Sequence, residues 1–176
     1  MSVLAAAARS PRTGGPALWA FATACGLYAV AWLVATTELP ERVPLHYDLR
    51  GDVDRWGDRA TLLAITGVVG VGVAALIAVL AFTRIPITWV NAPHKAWWTA
   101  TEERVERLRA LVRVDALWIG AMTLTLLAVL LFAMVRTADL EDPHLDTWFF
   151  AALGVYLLLI AGYTAYGYLV RYRPDE

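Results

Sequence analysis

Charged and uncharged positions fall along this chain in long, separate blocks. Four stretches contain no Asp, Glu, Lys or Arg: residues 17–37, 61–83, 116–135 and 147–170, of 21, 23, 20 and 24 residues. At a helical rise of about 1.5 Å per residue, each is long enough to cross the roughly 30 Å hydrocarbon core of a bilayer. Helix is required because lipid offers the backbone no hydrogen-bond partner, and none of the runs alternates with the period of two that a barrel strand needs. The pattern predicts an all-α, polytopic membrane protein with four transmembrane helices, flanked by tails at residues 1–16 and 171–176.

Composition sharpens this picture. Apolar residues make up 59% of the 176 and charged ones 18%, and the four stretches occupy half of the chain, so every charge is crowded into the other half. An ordinary soluble enzyme is excluded. Net charge, at −1, decides nothing, but its distribution does. The N-terminal tail (Arg9, Arg12), the middle loop (Arg84, Lys95, Arg104, Arg107, Arg109, Arg113) and the C-terminal tail (Arg171, Arg173) together hold ten basic residues. The other two loops hold five: Arg42, Arg50, Arg55, Arg59 and Arg136. The positive-inside rule then puts both termini and the middle loop in the cytoplasm and the protein in the inner cell membrane. The first span is longer than a signal-peptide core and ends in no small-x-small site, so it is expected to be retained. Cys25 lies within it and is read as a packing residue.

Within the second span Thr66, Gly70, Ala74 and Ala78 recur every four residues and line one face. Small residues at that spacing let another helix approach closely, either inside the bundle or in a homodimer. In the fourth span Tyr156 and Tyr163 share a face, and their hydroxyls are expected to reach backbone or threonine partners; Tyr168 and Tyr172 fit an interfacial belt. Residues 99–113 read as an amphipathic cytoplasmic helix running into the third span. Its start signal is Thr99 with Glu102, and Val105, Leu108, Leu111 and Val112 form its apolar stripe. Asp115, beside Arg113, is expected to mark the membrane boundary.

The first outer loop, residues 39–59, is too particular for a connector. Pro40 and Pro44 force extended backbone, Gly51 and Gly57 permit turns, and His46, Tyr47 and Trp56 add amphipathic bulk. Leu39, Pro40, Val43, Pro44, His46, Tyr47, Gly51, Asp54, Trp56 and Gly57 together resemble the first outer loop of a family of small bacterial membrane proteins. The family is a domain of unknown function found in the sporulation-delay toxin immunity proteins. A second motif, Asn91, Pro93, His94, Lys95, Trp97 and Trp98, resembles that family's cytoplasmic segment. The resemblance implies a short form lacking the second homologous region of the immunity proteins.

Candidate chemistry is sparse. His46 with Asp48, Asp52 and Asp54, and His144 with Asp142 and Asp146, offer nitrogen and oxygen donors but no ligand spacing. Asp52 and Asp54 begin like a calcium loop, yet Trp56 stands at the next ligand position and the terminal glutamate is missing. The loop is therefore expected to be a folded cap, with Tyr47 and Trp56 at the interface and Asp54 paired with Arg55 or Arg59. No nucleophile with a base, phosphate loop or dinucleotide fingerprint is present, and the spans carry no interior charge. The expectation is no catalysis, no metal or other cofactor and no nucleic-acid partner. Two readings follow: a sensor or immunity-type module that binds a peptide or membrane partner through the outer loop, or an accessory subunit of a transporter or other membrane complex.

Overall fold

The computed structural model describes residues 15–138, 140 and 142–174. Four helices in it are long and apolar enough to cross a membrane. The first is α1 (Gly15–Glu38), followed by an antiparallel hairpin of β1 (Arg42–Tyr47) and β2 (Val53–Asp58), then α2 (Arg59–Phe82). A single 3-10 turn at Ile87–Trp89 and the one-turn helix α3 (Lys95–Trp98) lead into α4 (Glu102–Thr137). The last helix is α5 (Thr147–Tyr166), which ends in a π turn at Gly167–Arg171. The basic residues Arg9 and Arg12 of the expected N-terminal tail lie outside the described residues.

Local chemistry sets the helix ends. Asp58 caps α2: its Oδ1 accepts from the Thr61 amide and its Oδ2 from the Thr61 hydroxyl, both at 2.8 Å, satisfying a donor that the helix cannot. Helix α4 starts two residues after the expected signal, with Thr101 as its cap. Thr99 is already committed to α3, where its amide and hydroxyl both donate to the Lys95 carbonyl at 2.9 and 3.0 Å. From there α4 runs unbroken for 36 residues, about 54 Å at the helical rise. Its first turns therefore project well beyond a bilayer core.

Helices α1, α2 and α4 form the core. Phe21, Ala24, Tyr28 and Ala35 of α1 are spaced by three, four or seven residues and face Leu117, Ala121, Leu124 and Leu131 of α4, with Leu62, Ile77 and Ala81 of α2 closing the third side. Glycine sets the spacing at two points. A Cβ on Gly120 would lie 2.8 Å from Ile77 and 3.0 Å from Phe21, so three helices converge there. A Cβ on Gly70 would fall 1.9 Å from the Tyr28 ring. That ring fills the notch in the small-residue stripe, and its hydroxyl donates to the Thr66 carbonyl at 2.5 Å. Ala74 packs against the same core and Ala78 is half-buried.

Helix α5 packs chiefly on α4. Phe149 is its one buried residue, seated against Ala133 and Leu145. The Tyr156 hydroxyl lies 3.3 Å from that of Thr123, a threonine partner as expected. Much of the rest of α5 is exposed, while Tyr163 near its far end turns toward α4.

Candidate functional site

At one end of the bundle the hairpin forms a rigid cap. Its strands pair Arg42 with Asp58, Val43 with Gly57 and Pro44 with Trp56, and the register then slips, because Leu45 is bulged out of the ladder. Gly57 is required there, since a Cβ would lie 2.2 Å from Leu45. The turn is built by Asp48, whose Oδ1 accepts from the amides of Arg50 (2.7 Å) and Asp52 (3.0 Å). Those amides, that of Asp52 foremost, hold the Asp48 carboxyl below its ordinary range. Gly51 follows at φ 93°, and its carbonyl accepts from the Leu145 amide at 2.9 Å, which ties the hairpin to the loop before α5. A side chain on Gly51 would meet the Leu145 carbonyl at 2.7 Å.

Leu39 and Val43 turn inward into the core, and Pro44 between them and Trp56 is buried as well. What the cap presents outward is different. Trp56 is 40% exposed, with the Arg42 guanidinium 5.2 Å from its ring centroid, and Leu49 at the turn is 98% exposed. The Nδ1–H of His46 donates to Oδ1 of Asp54 at 2.7 Å on the same hairpin. This corrects the expected pairing of Asp54 with Arg55 or Arg59. Adjacent strand residues point to opposite faces, and Arg59 instead donates to the Leu39 carbonyl at 2.9 Å. Tyr47 reaches back to the Thr137 hydroxyl at 3.5 Å. The backbones of Asp52 and His144 form an isolated antiparallel bridge and the His144 ring lies 3.3 Å from Asp146, but no group of three or more potential metal ligands forms among the described residues.

Residues 23–71, from the third turn of α1 through the hairpin into the middle of α2, match the family model "Domain of unknown function (DUF1648)". The match covers every hairpin candidate: Pro44, His46, Tyr47, Gly51, Asp54, Trp56 and Gly57. It stops before the segment from Asn91 to Trp98. No curated protein and no solved structure matches the chain.

The opposite end carries that second segment. His94 takes up a left-handed conformation (φ 55°) and starts α3, and Lys95 donates to the Thr88 carbonyl at 2.9 Å. Trp98 is buried against Leu108 and Val90, so the apolar stripe of the first α4 turns is covered by the chain's own loop. Its indole N–H donates to the Tyr172 carbonyl at 3.1 Å. Trp97 stands edge-on to Trp98, with the Arg104 guanidinium 3.9 Å from its centroid. Asn91 is exposed, Pro93 is half-buried, and both line a cavity of about 560 Å³ between this loop, α4 and the end of α5.

Asp115 also lines that cavity, and its partners come from the other side of it. Its partner is Arg171, at 3.1 Å, and not Arg113. Residues two apart on a helix point away from each other, whereas Arg171 arrives from the end of α5. Asp115 also accepts from the hydroxyls of Tyr163 (2.8 Å) and Tyr172 (2.5 Å). Tyr163 thus finds a carboxylate in place of a backbone or threonine partner. Tyr172 joins this cluster, where burial and the neighbouring carboxylate push its phenol well above its usual range. The cluster locks α4, α5 and the Trp98 loop together.

Proposed function

We propose that this multi-pass membrane protein is a non-catalytic sensor or immunity-type module whose hairpin captures a peptide or partner membrane protein outside the cytoplasm. The observation that carries the reading is the exposed Trp56 beneath the Arg42 guanidinium, on a hairpin fixed from behind by Gly51 and Leu145. An aromatic–arginine pair held on a rigid element is the side-chain chemistry enriched where proteins bind one another. The free edge of β2 adds backbone donors and acceptors that an extended peptide can pair with. The likeness of the loop to that of the toxin immunity proteins supports the same reading, as does the family match centred on it. The excess of arginine at the opposite end supports cytoplasmic termini and an outward-facing hairpin.

In this reading the cluster of Trp98, Tyr172 and Asp115 passes occupancy on, because α1 and α2 carry the hairpin and both pack on α4. A photo-crosslinking residue at position 49, at the exposed turn, tests the proposal in living cells. The expected result is a discrete protein adduct that Trp56→Ala or His46→Ala abolishes while membrane insertion persists. Adducts to lipid alone, or adducts indifferent to both substitutions, contradict it.

The outward face of α5 favours the second reading, an accessory subunit of a transporter or other membrane complex. An apolar cleft of about 430 Å³ between α1, α4 and α5 offers a docking groove, whereas Tyr28 already fills the Gly70 notch. Recovery of a stoichiometric membrane partner in mild detergent, lost on Val155→Arg, distinguishes this role.

A further inference from the structure

Two cavities meet at the end of the bundle opposite the hairpin, with Leu80 and Ile85 as their common wall. The smaller, about 210 Å³, lies between the end of α2 and the first turns of α4 and is lined by Arg84, Arg109 and Arg113, with Glu106 as its one acid. A single oxygen of Glu106 serves two of these cations, accepting from Arg84 and from Arg109 at 2.6 Å each. The lining therefore holds an excess of two positive charges. The Nε of Arg109 is buried without a hydrogen-bond partner among the described residues. An unmade bond at a buried charged donor is costly, and an anion seated in this cavity would relieve it.

The larger cavity continues from this cationic pocket along α4. Its wall runs from Val112 through Ala116 to Ile119, into the charge-free part of the helix, with Tyr163 and Tyr168 opposite. Asp115 on that wall is already taken up by Arg171 and two tyrosine hydroxyls, so it presents no unanswered negative charge. Trp89 and Tyr168 line the same space and are 79% and 65% exposed, as rings at the boundary between headgroups and acyl chains are. A basic pocket that opens onto an apolar slot at this level matches one kind of molecule, an amphiphile with a phosphate head. Basic pockets between membrane helices take anionic lipid headgroups.

We propose that the composite cavity binds one anionic phospholipid, its phosphate against Arg84, Arg109 and Arg113 and an acyl chain along Val112, Ala116 and Ile119. The site is independent of the hairpin reading. Bound lipid would join the end of α2 to the start of α4 through three guanidinium groups.

The test is native mass spectrometry of the full chain in a zwitterionic detergent, titrated in parallel with dioleoylphosphatidylglycerol and dioleoylphosphatidylcholine, and with inorganic phosphate as competitor. One phosphatidylglycerol is expected to remain bound under conditions that strip phosphatidylcholine. Arg113→Gln and Arg109→Gln should each weaken it about five-fold, the worth of one basic residue near an anionic headgroup. Arg113 is exposed and takes no part in the Glu106 pairing, so its variant keeps the test valid should Arg109→Gln disturb folding. Ile119→Trp, which fills the slot and leaves the arginines alone, should weaken retention as well. Equal retention of the two lipids, indifference to Arg113→Gln, or displacement by equimolar inorganic phosphate would overturn the proposal, the last by reducing it to a free-anion site.

Discussion

The contact between Gly70 and Tyr28 sets how closely α1 and α2 can approach, and Gly70→Ala perturbs it with a single methyl group. A Cβ at that position would lie 1.9 Å from Cε1, 2.4 Å from Cζ and 2.7 Å from the hydroxyl of Tyr28. Carbon atoms in contact need about 3.5 Å, so the ring must retreat by roughly 1.5 Å. That movement breaks the hydroxyl's bond to the Thr66 carbonyl. Overpacking of this kind costs about 1–3 kcal/mol, and a hydrogen bond within a membrane about 0.6 kcal/mol more. Alanine recovers up to about 1 kcal/mol in helix propensity, which complicates the net value.

Gly72→Ala removes that complication. It lies two residues away on the same helix, with nothing within 4 Å of the added Cβ, so the propensity gain cancels between the two variants. Gly70→Ala should be less stable than Gly72→Ala by about 2–3 kcal/mol. Reversible unfolding in mixed micelles, followed by far-ultraviolet circular dichroism, measures the difference. Added to Tyr28→Ala, which removes the ring, Gly70→Ala should cost nothing further. Equal stability of the two glycine variants would refute the reasoning, as would an undiminished penalty in the Tyr28→Ala background.

Two further outcomes follow from the polar groups. Asp115→Ala leaves the Arg171 guanidinium, 19% exposed, without its carboxylate, which should cost about 3 kcal/mol in the same unfolding assay. Adding Arg171→Gln should restore part of the loss, and no recovery would mean that the pair does not hold the helix ends together. At the hairpin, the Asp48 carboxyl is held below its ordinary value of 3.8 by the amides of the turn. Its contribution is complete above that value and is lost as the pH falls through the lower value of the folded state. The amide resonances of Arg50 and Asp52 should therefore shift together in acid with a midpoint below 3.8, a transition that Asp48→Ala abolishes.

The four spans were legible because lipid imposes a requirement that a sequence must meet continuously, and residues 61–83 and 147–170 meet it without a charge. Gly70 was legible as a point of close approach from its spacing with Thr66 and Ala74, but nothing local to α2 says that Tyr28 fills it. The hairpin was read only as a structured cap. Pro44 interrupts the alternation of β1 and Leu45 bulges from it, so the period of two that announces a strand is absent. The partners of Asp115 were hidden for a related reason: it was read only as a boundary residue, and Arg171, Tyr163 and Tyr172 come from the far end of α5. Pairing of Tyr163 with Arg171, eight residues apart on one helix, was the one available hint that this face carries a polar cluster.

Directional labelling is the most direct test of the claim that the hairpin and the arginine-rich end lie on opposite sides of a membrane crossed four times. Leu49→Cys, at the exposed turn, and Arg173→Cys, past the end of α5, can each be introduced into a Cys25→Ala background and challenged with a membrane-impermeant maleimide on intact cells. The account predicts that position 49 reacts at once and that position 173 reacts only after the membrane is permeabilised. Reaction at position 173 in sealed cells, or protection of position 49, would contradict it.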